Sequence, residues 1–166
     1  MTAAYAFAIL GPERDRKAFS CGVAALDRYF PEQVIQDVRR RATACYVVLD
    51  TAAGRVAGYY TLAASGVPLC EMPGALARKL PRYPVVPVAR LGRLAVDTAY
   101  RGRQLGGAML WDAAARAARS GLGVFALVVD AKDDPAKAFY VHHGFATFGS
   151  APRQLILSLA NVPGER

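Results

Sequence analysis

One junction between an apolar strand and a helix, in residues 90–107, constrains the fold of this chain more than any other feature. The apolar residues Leu91, Leu94 and Val96 lead into a turn rich in arginine and glycine, and a helix is predicted to begin at about Gln104. The first backbone N–H groups of a helix lack intrahelical acceptors, and the helix dipole adds partial positive charge there. Such a junction binds phosphates, and glycine lets the anion approach the backbone closely. The sequence therefore predicts an enzyme that binds a cofactor containing pyrophosphate.

Length and composition indicate one globular domain. With 166 residues, of which 54% are hydrophobic, the chain can bury a substantial core, and a single domain is predicted over residues 1–166. No apolar run approaches the roughly 20 residues of a membrane helix, and the N-terminus does not resemble a signal peptide. Cys21, Cys45 and Cys70 lack the spacing of a zinc site or a disulfide framework, so no metal is expected. These observations favour a protein of the reducing cytoplasm.

Alternating and periodic apolar residues divide the chain into strands and helices. Strands are predicted over residues 5–10, 44–50, 55–63, 88–96, 124–129 and 155–159, and helices over 22–41, 74–80, 104–119 and 134–143. Pro31 is expected to begin the second of two helices within the first helical stretch, and Asp133 or Asp134 to cap the last helix. The strand–helix–strand–helix order of the second half predicts an α/β sheet with helices packed on it.

Positive charge is concentrated in one part of the chain. The formal net charge is +8, and residues 78–103 hold seven basic side chains against one acidic residue, Asp97. Some of these cations suit cofactor phosphates, and the excess suits an acidic partner such as RNA; a solvated face is the alternative. Cations that end a predicted helix at residues 39–41 either complement its dipole or contact RNA. The candidate RNA-binding residues are Arg39, Arg40, Arg41, Arg78, Lys79, Arg82, Arg90 and Arg93.

Two segments carry the chemistry. The chain lacks the pattern Gly-x-x-x-x-Gly-Lys-Ser/Thr, and no Gly-x-Gly-x-x-Gly follows its first strand, so neither a P-loop nor a dinucleotide-binding fold is supported. Residues 101–106 read Arg-Gly-Arg-Gln-Leu-Gly, and residues 133–140 read Asp-Asp-Pro-Ala-Lys-Ala-Phe-Tyr, with Gly-Phe at 144–145. In these segments the chain resembles the GCN5-related N-acetyltransferase (GNAT) superfamily, with Gln104 in place of a glycine and Asp133 in place of an asparagine.

That resemblance implies a fold and a co-substrate. The fold is the α/β (α+β) GNAT fold, a mixed, mostly antiparallel sheet splayed between strands 4 and 5 and flanked by helices. Acetyl-CoA is implied to lie between the strands at 88–96 and 124–129, with its pantetheine arm on backbone groups of Leu94 and Val96. Its pyrophosphate is implied to lie against residues 101–107. The residues implied to bind acetyl-CoA are Leu94, Ala95, Val96, Arg101, Gly102, Arg103, Gln104, Leu105, Gly106, Gly107, Asp133, Ala136 and Phe139.

The resemblance also implies that Tyr140 donates a proton to the thiolate that leaves as coenzyme A. A phenol is protonated at neutral pH and can act as a general acid; packing of the ring on the sheet is the alternative. His142 and His143 follow the signature at the helix end, where capping is the favoured interpretation. The remaining candidates are Glu71, Tyr59 and Tyr60, as groups on the amine side, and Trp111, interpreted as packing.

Further segments narrow the resemblance. Residues 19–29, 36–40, 82–84 and 91–97 are similar to the acetyltransferase toxins of bacterial toxin–antitoxin pairs. This similarity implies that the chain acetylates the α-amine of an aminoacyl-tRNA and blocks translation. It also implies neutralisation by a small ribbon-helix-helix antitoxin, and a homodimer. The alternatives are an acetyltransferase for a small-molecule amine or a protein N-terminus, and a non-catalytic module that binds acetyl-CoA or RNA.

Overall fold

Strands and helices alternate along residues 4–160 and 162, which are the residues that this computed structural model describes. The strands are β1 (Tyr5–Ile9), β2 (Ala44–Asp50), β3 (Arg55–Pro68), β4 (Val85–Val96), β5 (Ala126–Asp130), β6 (Ala146–Thr147) and β7 (Gln154–Ser158). The helices are α1 (Ala24–Glu32), α2 (Val34–Arg39), α3 (Gly74–Ala77), α4 (Leu105–Arg119) and α5 (Asp134–His142), with 3₁₀ turns at Leu69–Glu71 and Thr98–Tyr100. No helix within the described ranges combines the length and apolar character needed to cross a membrane.

The strands form one mixed sheet in the order β1-β2-β3-β4-β5-β7-β6. The pairs β1–β2, β2–β3, β5–β7 and β6–β7 are antiparallel, whereas β4 and β5 run parallel. This arrangement confirms the predicted mixed, mostly antiparallel sheet with flanking helices. The parallel register joins Ala89–Leu91 to Leu127–Val129, and β4 continues beyond Leu91 to Val96.

The chain forms two compact units, each made of two segments. The first unit comprises Met1–Ala63 and Gly92–Ala113, and the second unit comprises Ala64–Leu91 and Ala114–Arg166. Strands β3 and β4 and helix α4 each contribute residues to both units. The organisation as a single domain over residues 1–166 stays a prediction.

Each unit has its own apolar core. In the first unit, the Phe30 and Tyr59 rings stack with centroids 4.2 Å apart, and Phe19 packs edge-on against both at 5.2 Å. In the second unit, Val88 of β4 and Val128 of β5 are fully buried in a cluster that also contains six other buried residues, Val67, Met72, Val86, Ala126, Phe148 and Ile156. Burial of such side chains contributes about 1.5–3 kcal/mol each, so the two clusters hold the strands that carry the candidate site.

Several element boundaries differ from the prediction. Pro31 lies inside α1 instead of starting α2, and the break between the helices falls at Gln33. Proline lacks the N–H that would bond to the Asp27 carbonyl, and this loss falls in the last turn of α1, which ends at Glu32. Helix α3 is shorter than predicted, and β3 extends beyond residue 63 to Pro68.

Candidate active site

The predicted site residues fall into two sets, one in each compact unit. In the first unit, the loop before α4 passes twice through the left-handed backbone region, with φ of +76° at Gly102 and +60° at Gln104. This conformation costs a residue with a side chain about 1–2 kcal/mol, so Gln104 adopts the geometry that a glycine takes freely. Helix α4 accordingly begins at Leu105, one residue later than predicted, because Gln104 is not helical.

The start of α4 offers several backbone donors to an anion. The N–H of Ala108 donates to the Gln104 carbonyl at 3.2 Å, the first helical bond of α4. The N–H groups of Leu105, Gly106 and Gly107 precede that bond, and the positive end of the helix dipole lies with them. A Cβ added at Gly102 would find no atom within 4 Å. These donors make the loop a candidate site for a pyrophosphate, and binding at these residues stays a prediction.

The two arginines of this loop are held by other protein groups. Arg101 Nη2 donates to the Cys21 carbonyl at 2.6 Å, and Arg103 Nη1 donates to the Tyr5 hydroxyl at 2.9 Å. The Arg103 guanidinium also lies 5.1 Å from the centroid of the Tyr100 ring. Each guanidinium keeps further N–H donors beside these contacts and is exposed, so it can contact a phosphate without leaving its partner, and the backbone donors at the start of α4 add to it.

Sequence reasoning missed a buried carboxylate that holds the loop. Asp97 is 2% exposed, and it accepts hydrogen bonds from the N–H of Ser20 at 3.1 Å and of Ala99 at 2.9 Å. It also pairs with Arg55 at 3.4 Å. An aspartate directly after a strand and before a turn is a capping signal that could have identified it.

A second carboxylate organises the facing loop of the same unit. Asp27 accepts from the N–H of Cys21 at 2.7 Å and of Gly22 at 3.3 Å, and from the Ser20 hydroxyl at 3.3 Å. Partial burial opposes ionisation of this carboxyl, but these hydrogen bonds outweigh it and lower its pKa. Asp27 therefore shapes the same loop whose Cys21 carbonyl receives Arg101.

The predicted pantetheine segment lies on β4 beyond its register with β5. Ala95 is buried, whereas Leu94 and Val96 are half-buried. Near the start of this segment, the hydroxyl of Thr61 is buried without a hydrogen-bond partner in the described part of the chain. A Cβ added at Gly92 would lie 2.9 Å from that hydroxyl, so only glycine allows the close approach.

In the second unit, Tyr140 of α5 is buried among aromatic rings. It is 7% exposed and packs edge-on against Phe139 at 5.3 Å and Phe145 at 5.4 Å. Burial raises the pKa of Tyr140 to about 12. No group within the described residues forms a hydrogen bond with its hydroxyl, so the phenol keeps its proton and has it available for a ligand. The packing and proton-donor interpretations of Tyr140 thus describe compatible features.

The ends of α5 are capped as the sequence predicts. The Asp133 carboxylate accepts from the Ala136 N–H at 2.9 Å, which selects Asp133 over Asp134 as the cap. A hydrogen bond from Lys132 at 2.8 Å lowers the pKa of Asp133. At the other end, His143 Nδ1 lies 2.9 Å from the Phe139 carbonyl, which confirms the capping interpretation of that histidine.

The structure places the remaining candidate residues in different environments. The Tyr59 hydroxyl donates to the Leu26 carbonyl at 2.8 Å, and burial raises the pKa of Tyr59, so it is a core residue. The Tyr60 hydroxyl donates to Asp112. Glu71 lines an open depression of the second unit between residues 70–73 and 147–150. The packing interpretation of Trp111 is wrong because this side chain is 64% exposed.

The candidate RNA-binding cations fall into two groups, those with a protein partner and those that are exposed. Arg90 pairs with Asp130 at 2.7 Å, and the Arg93 guanidinium lies 3.5 Å from the centroid of the Tyr29 ring. These two cations already have protein partners. The others, which are exposed, are Arg39, Arg40, Arg41, Arg78, Lys79 and Arg82.

Comparison with known proteins agrees with this fold. Residues 13–145 match the acetyltransferase (GNAT) family. The chain belongs to this family of acetyltransferases. It is 37% identical over 150 residues to the tRNA-acetylating toxin of Mycobacterium tuberculosis, covering 89% of this chain and 88% of that protein. It is also 28% identical over 163 residues to the probable toxin TacT of Sinorhizobium fredii, covering 92% and 90%.

Solved structures of toxins share the fold. A KacT variant with a tyrosine replaced by phenylalanine matches with a TM-score of 0.85 and 25% identity, over 93% of this chain and 95% of that one. AtaT complexed with acetyl-methionyl-tRNAfMet matches with a TM-score of 0.80 and 26% identity, over 93% and 95%. AtaTR bound with acetyl-CoA also has a TM-score of 0.80 and 26% identity, over 93% and 94%. These matches confirm the predicted GNAT fold.

Proposed function

We propose that this protein is an acetyl-CoA-dependent toxin that acetylates the α-amine of an aminoacyl-tRNA and thereby blocks translation. One observation carries the proposal: the start of α4 presents backbone N–H groups behind a loop whose residues 102 and 104 have φ of +76° and +60°. That geometry is suited to a pyrophosphate in a family of acetyltransferases. The choice of substrate is supported by the 37% identity to a tRNA-acetylating toxin over 89% of the chain.

The co-substrate is held by main-chain groups. We assign the pyrophosphate to the loop at residues 101–104 and to the N–H groups at residues 105–107, and the pantetheine arm to the backbone of Leu94–Val96. In the second unit, we assign Asp133, Ala136 and Phe139 of α5 to further contacts with acetyl-CoA; the Asp133 carboxylate then acts mainly by fixing the start of that helix. When bound, acetyl-CoA supplies an acetyl group activated as a thioester.

Tyr140 serves as the general acid. The neutral α-amine attacks the acetyl carbon, a C–N bond forms, and the C–S bond breaks. The sulfur takes the phenolic proton of Tyr140, and the amine releases a proton to water. The Tyr140 phenolate then regains a proton from water, which restores the general acid for the next turnover. Because an α-amino group has a pKa of about 8, a sufficient fraction is neutral without a dedicated base.

We further propose a cytoplasmic homodimer neutralised by a ribbon-helix-helix antitoxin. The cytoplasm contains the aminoacyl-tRNA, and relatives named as toxins support control by an antitoxin. Co-purification of the protein with the product of a short reading frame encoded beside its gene tests the antitoxin. Light scattering of the purified protein tests the homodimer.

Substitution of Tyr140 by phenylalanine tests the chemistry. The Tyr140→Phe variant should lower kcat for acetylation of charged tRNA by about 10²–10⁴-fold, since a general acid contributes that much. The affinity for acetyl-CoA, measured by calorimetry, should be unchanged because the ring remains. Tyr29→Phe, which removes the phenol bonded to Asp37, is the matched control and should retain activity. Full turnover by Tyr140→Phe would reject the role of Tyr140.

The pH profile provides a second test of the same residue. Because burial raises the pKa of Tyr140 to about 12, its proton remains in place throughout the neutral and moderately alkaline range. The rate should therefore rise as the α-amine loses its proton and then stay level up to about pH 10. A fall in the initial rate between pH 8 and 10, corrected for hydrolysis of the aminoacyl ester, on a stable protein contradicts this assignment. Mass spectrometry of products from a panel of charged tRNAs and competing small amines identifies the acceptor.

A further inference from the structure

A short basic segment of the second unit has no acidic residue beside it in the sequence. Arg78, Lys79 and Arg82 lie within residues 72–89, which contain no aspartate or glutamate. All three side chains are exposed, and none forms an ion pair with a described residue. This charge is therefore not neutralised locally, in contrast to Arg90, which pairs with Asp130.

The backbone that carries these cations is fixed. The N–H of Lys79 donates to the Leu76 carbonyl at 3.1 Å, and the Leu76 and Leu80 side chains pack on the core of the second unit. On the other side, the Pro84 carbonyl accepts from the N–H of Leu69 at 2.9 Å. Residues 78–83 thus lie between two anchored points, which reduces the entropy lost when a ligand binds.

An exposed aromatic ring lies within the same segment. Tyr83 is 70% exposed and makes no ring contact within the described part of the chain. It directly follows Arg82, and all four side chains lie within six consecutive residues. An exposed ring among unpaired cations is the combination that binds unpaired nucleic acid, since bases stack on the ring and phosphates contact the cations.

We propose that the 78–83 surface, formed by Arg78, Lys79, Arg82 and Tyr83, binds an unpaired stretch of RNA with a base stacked on Tyr83. This inference rests on the proposed function, because it makes the surface the place that holds the unpaired end of the aminoacylated RNA. Three cations within five residues, without a carboxylate among them, require a partner with dense negative charge. RNA supplies that charge through its phosphates, so it is favoured over a protein partner.

The binding experiment uses two fluorescein-labelled RNA hairpins and the full protein without acetyl-CoA. One hairpin has an unpaired 3′ extension of about four nucleotides, the smallest site size for single-strand modules, and the other is blunt. Fluorescence anisotropy measures the Kd of each. The wild type should bind the extended hairpin more tightly, and Tyr83→Ala should weaken that binding about tenfold or more because it removes a stacking platform.

Three further variants separate stacking from charge and from folding. Tyr83→Phe and Tyr83→Trp should restore tight binding, since each keeps a ring. Arg82→Gln should reduce the slope of log Kd against log salt by about 0.7, whereas Tyr83→Ala should leave that slope unchanged. Trp111→Ala is the matched control, because it removes another exposed aromatic ring, 64% exposed, on α4.

The outcomes are decisive in both directions. Equal affinity of Tyr83→Ala and wild type for the extended hairpin overturns the inference, as does an equal loss for the blunt hairpin. The inference is also overturned if Tyr83→Ala changes the oligomeric state in sedimentation but leaves the Kd for RNA unchanged. The Tyr83 ring then belongs to a protein interface. Acetylation assays separate this inference from the proposed function: Tyr83→Ala should raise KM for charged tRNA and keep kcat. If the wild type acetylates no charged tRNA, the proposed function fails independently of the hairpin result.

Discussion

Two arginine-rich segments of this protein use the same side chain in opposite ways. In the loop before α4, Arg101 and Arg103 each donate a hydrogen bond to another protein group, at 2.6 and 2.9 Å. On the 78–83 surface, Arg78 and Arg82 are exposed and form no ion pair with a described residue. The first pair has protein acceptors as partners, and the second has no ion-pair partner among the described residues.

The difference arises from the groups that surround each segment. The loop before α4 follows Asp97, which accepts from the N–H of Ser20. Asp27 accepts from the N–H of Cys21, and the Cys21 carbonyl accepts from Arg101. Residues 72–89 contain no acidic side chain. The number of basic residues along the sequence therefore does not show which arginines have a protein acceptor; the positions of the acceptors in space do.

The largest effect is expected at Asp97. Asp97→Ala should lower the free energy of unfolding by about 3 kcal/mol, because the N–H groups of Ser20 and Ala99 and the Arg55 guanidinium lose a buried acceptor. Chemical denaturation measures the loss. Asp130→Ala is the control: its side chain is 65% exposed, and its pair with Arg90 should contribute at most about 1 kcal/mol. Equal losses for the two variants would remove the distinction between the regions.

An intermediate effect is expected when arginines of the two segments are exchanged for glutamine. Arg101→Gln should cost about 1 kcal/mol in unfolding free energy, since the Cys21 carbonyl loses its donor. Arg82→Gln should change stability by less than about 0.5 kcal/mol, as is usual for an exposed side chain. Thermal and chemical unfolding of both variants provide the comparison. A greater loss for Arg82→Gln would mean that the 78–83 surface is structural.

The smallest effect is a gain in stability at Gln104. Gln104→Gly should raise the unfolding free energy by up to about 1 kcal/mol, because glycine adopts a φ of +60° without the strain of a side chain. Arg41→Gly, at a φ of +58° at the end of α2, is the matched control for stability. Calorimetry should show that Gln104→Gly binds acetyl-CoA at least as tightly as the wild type. Weaker binding would mean that the Gln104 side chain itself contacts the ligand.

Much of the fold was predictable because its signals are local. Apolar periodicity located the strands and α4, and the Asp-Pro start of α5 was found from capping chemistry alone. The capping bond from Ala99 to Asp97 is local too, but the contact of Asp97 with Ser20 was not predictable in the same way. Asp97 binds Ser20, which lies 77 residues away in the sequence, so that contact exists only once the chain has folded.

The error at Trp111 has a similar origin. A large apolar residue on an amphipathic helix is usually buried, but among the described residues this side chain is 64% exposed. Strand β3 continues to Pro68, past the apolar run that predicts its end at residue 63. Sequence patterns thus predict which element forms, whereas tertiary neighbours decide which face is covered.

The backbone at Gln104 has a consequence for how relatives of this protein are found. A signature written as a series of glycines fails at this position, although the chain follows the path that the glycines exist to permit. Asparagine, aspartate and other residues visit the same dihedral angles at modest cost. A search pattern defined by torsion angles, with residue identity left open, would recover enzymes that letter-based signatures pass over.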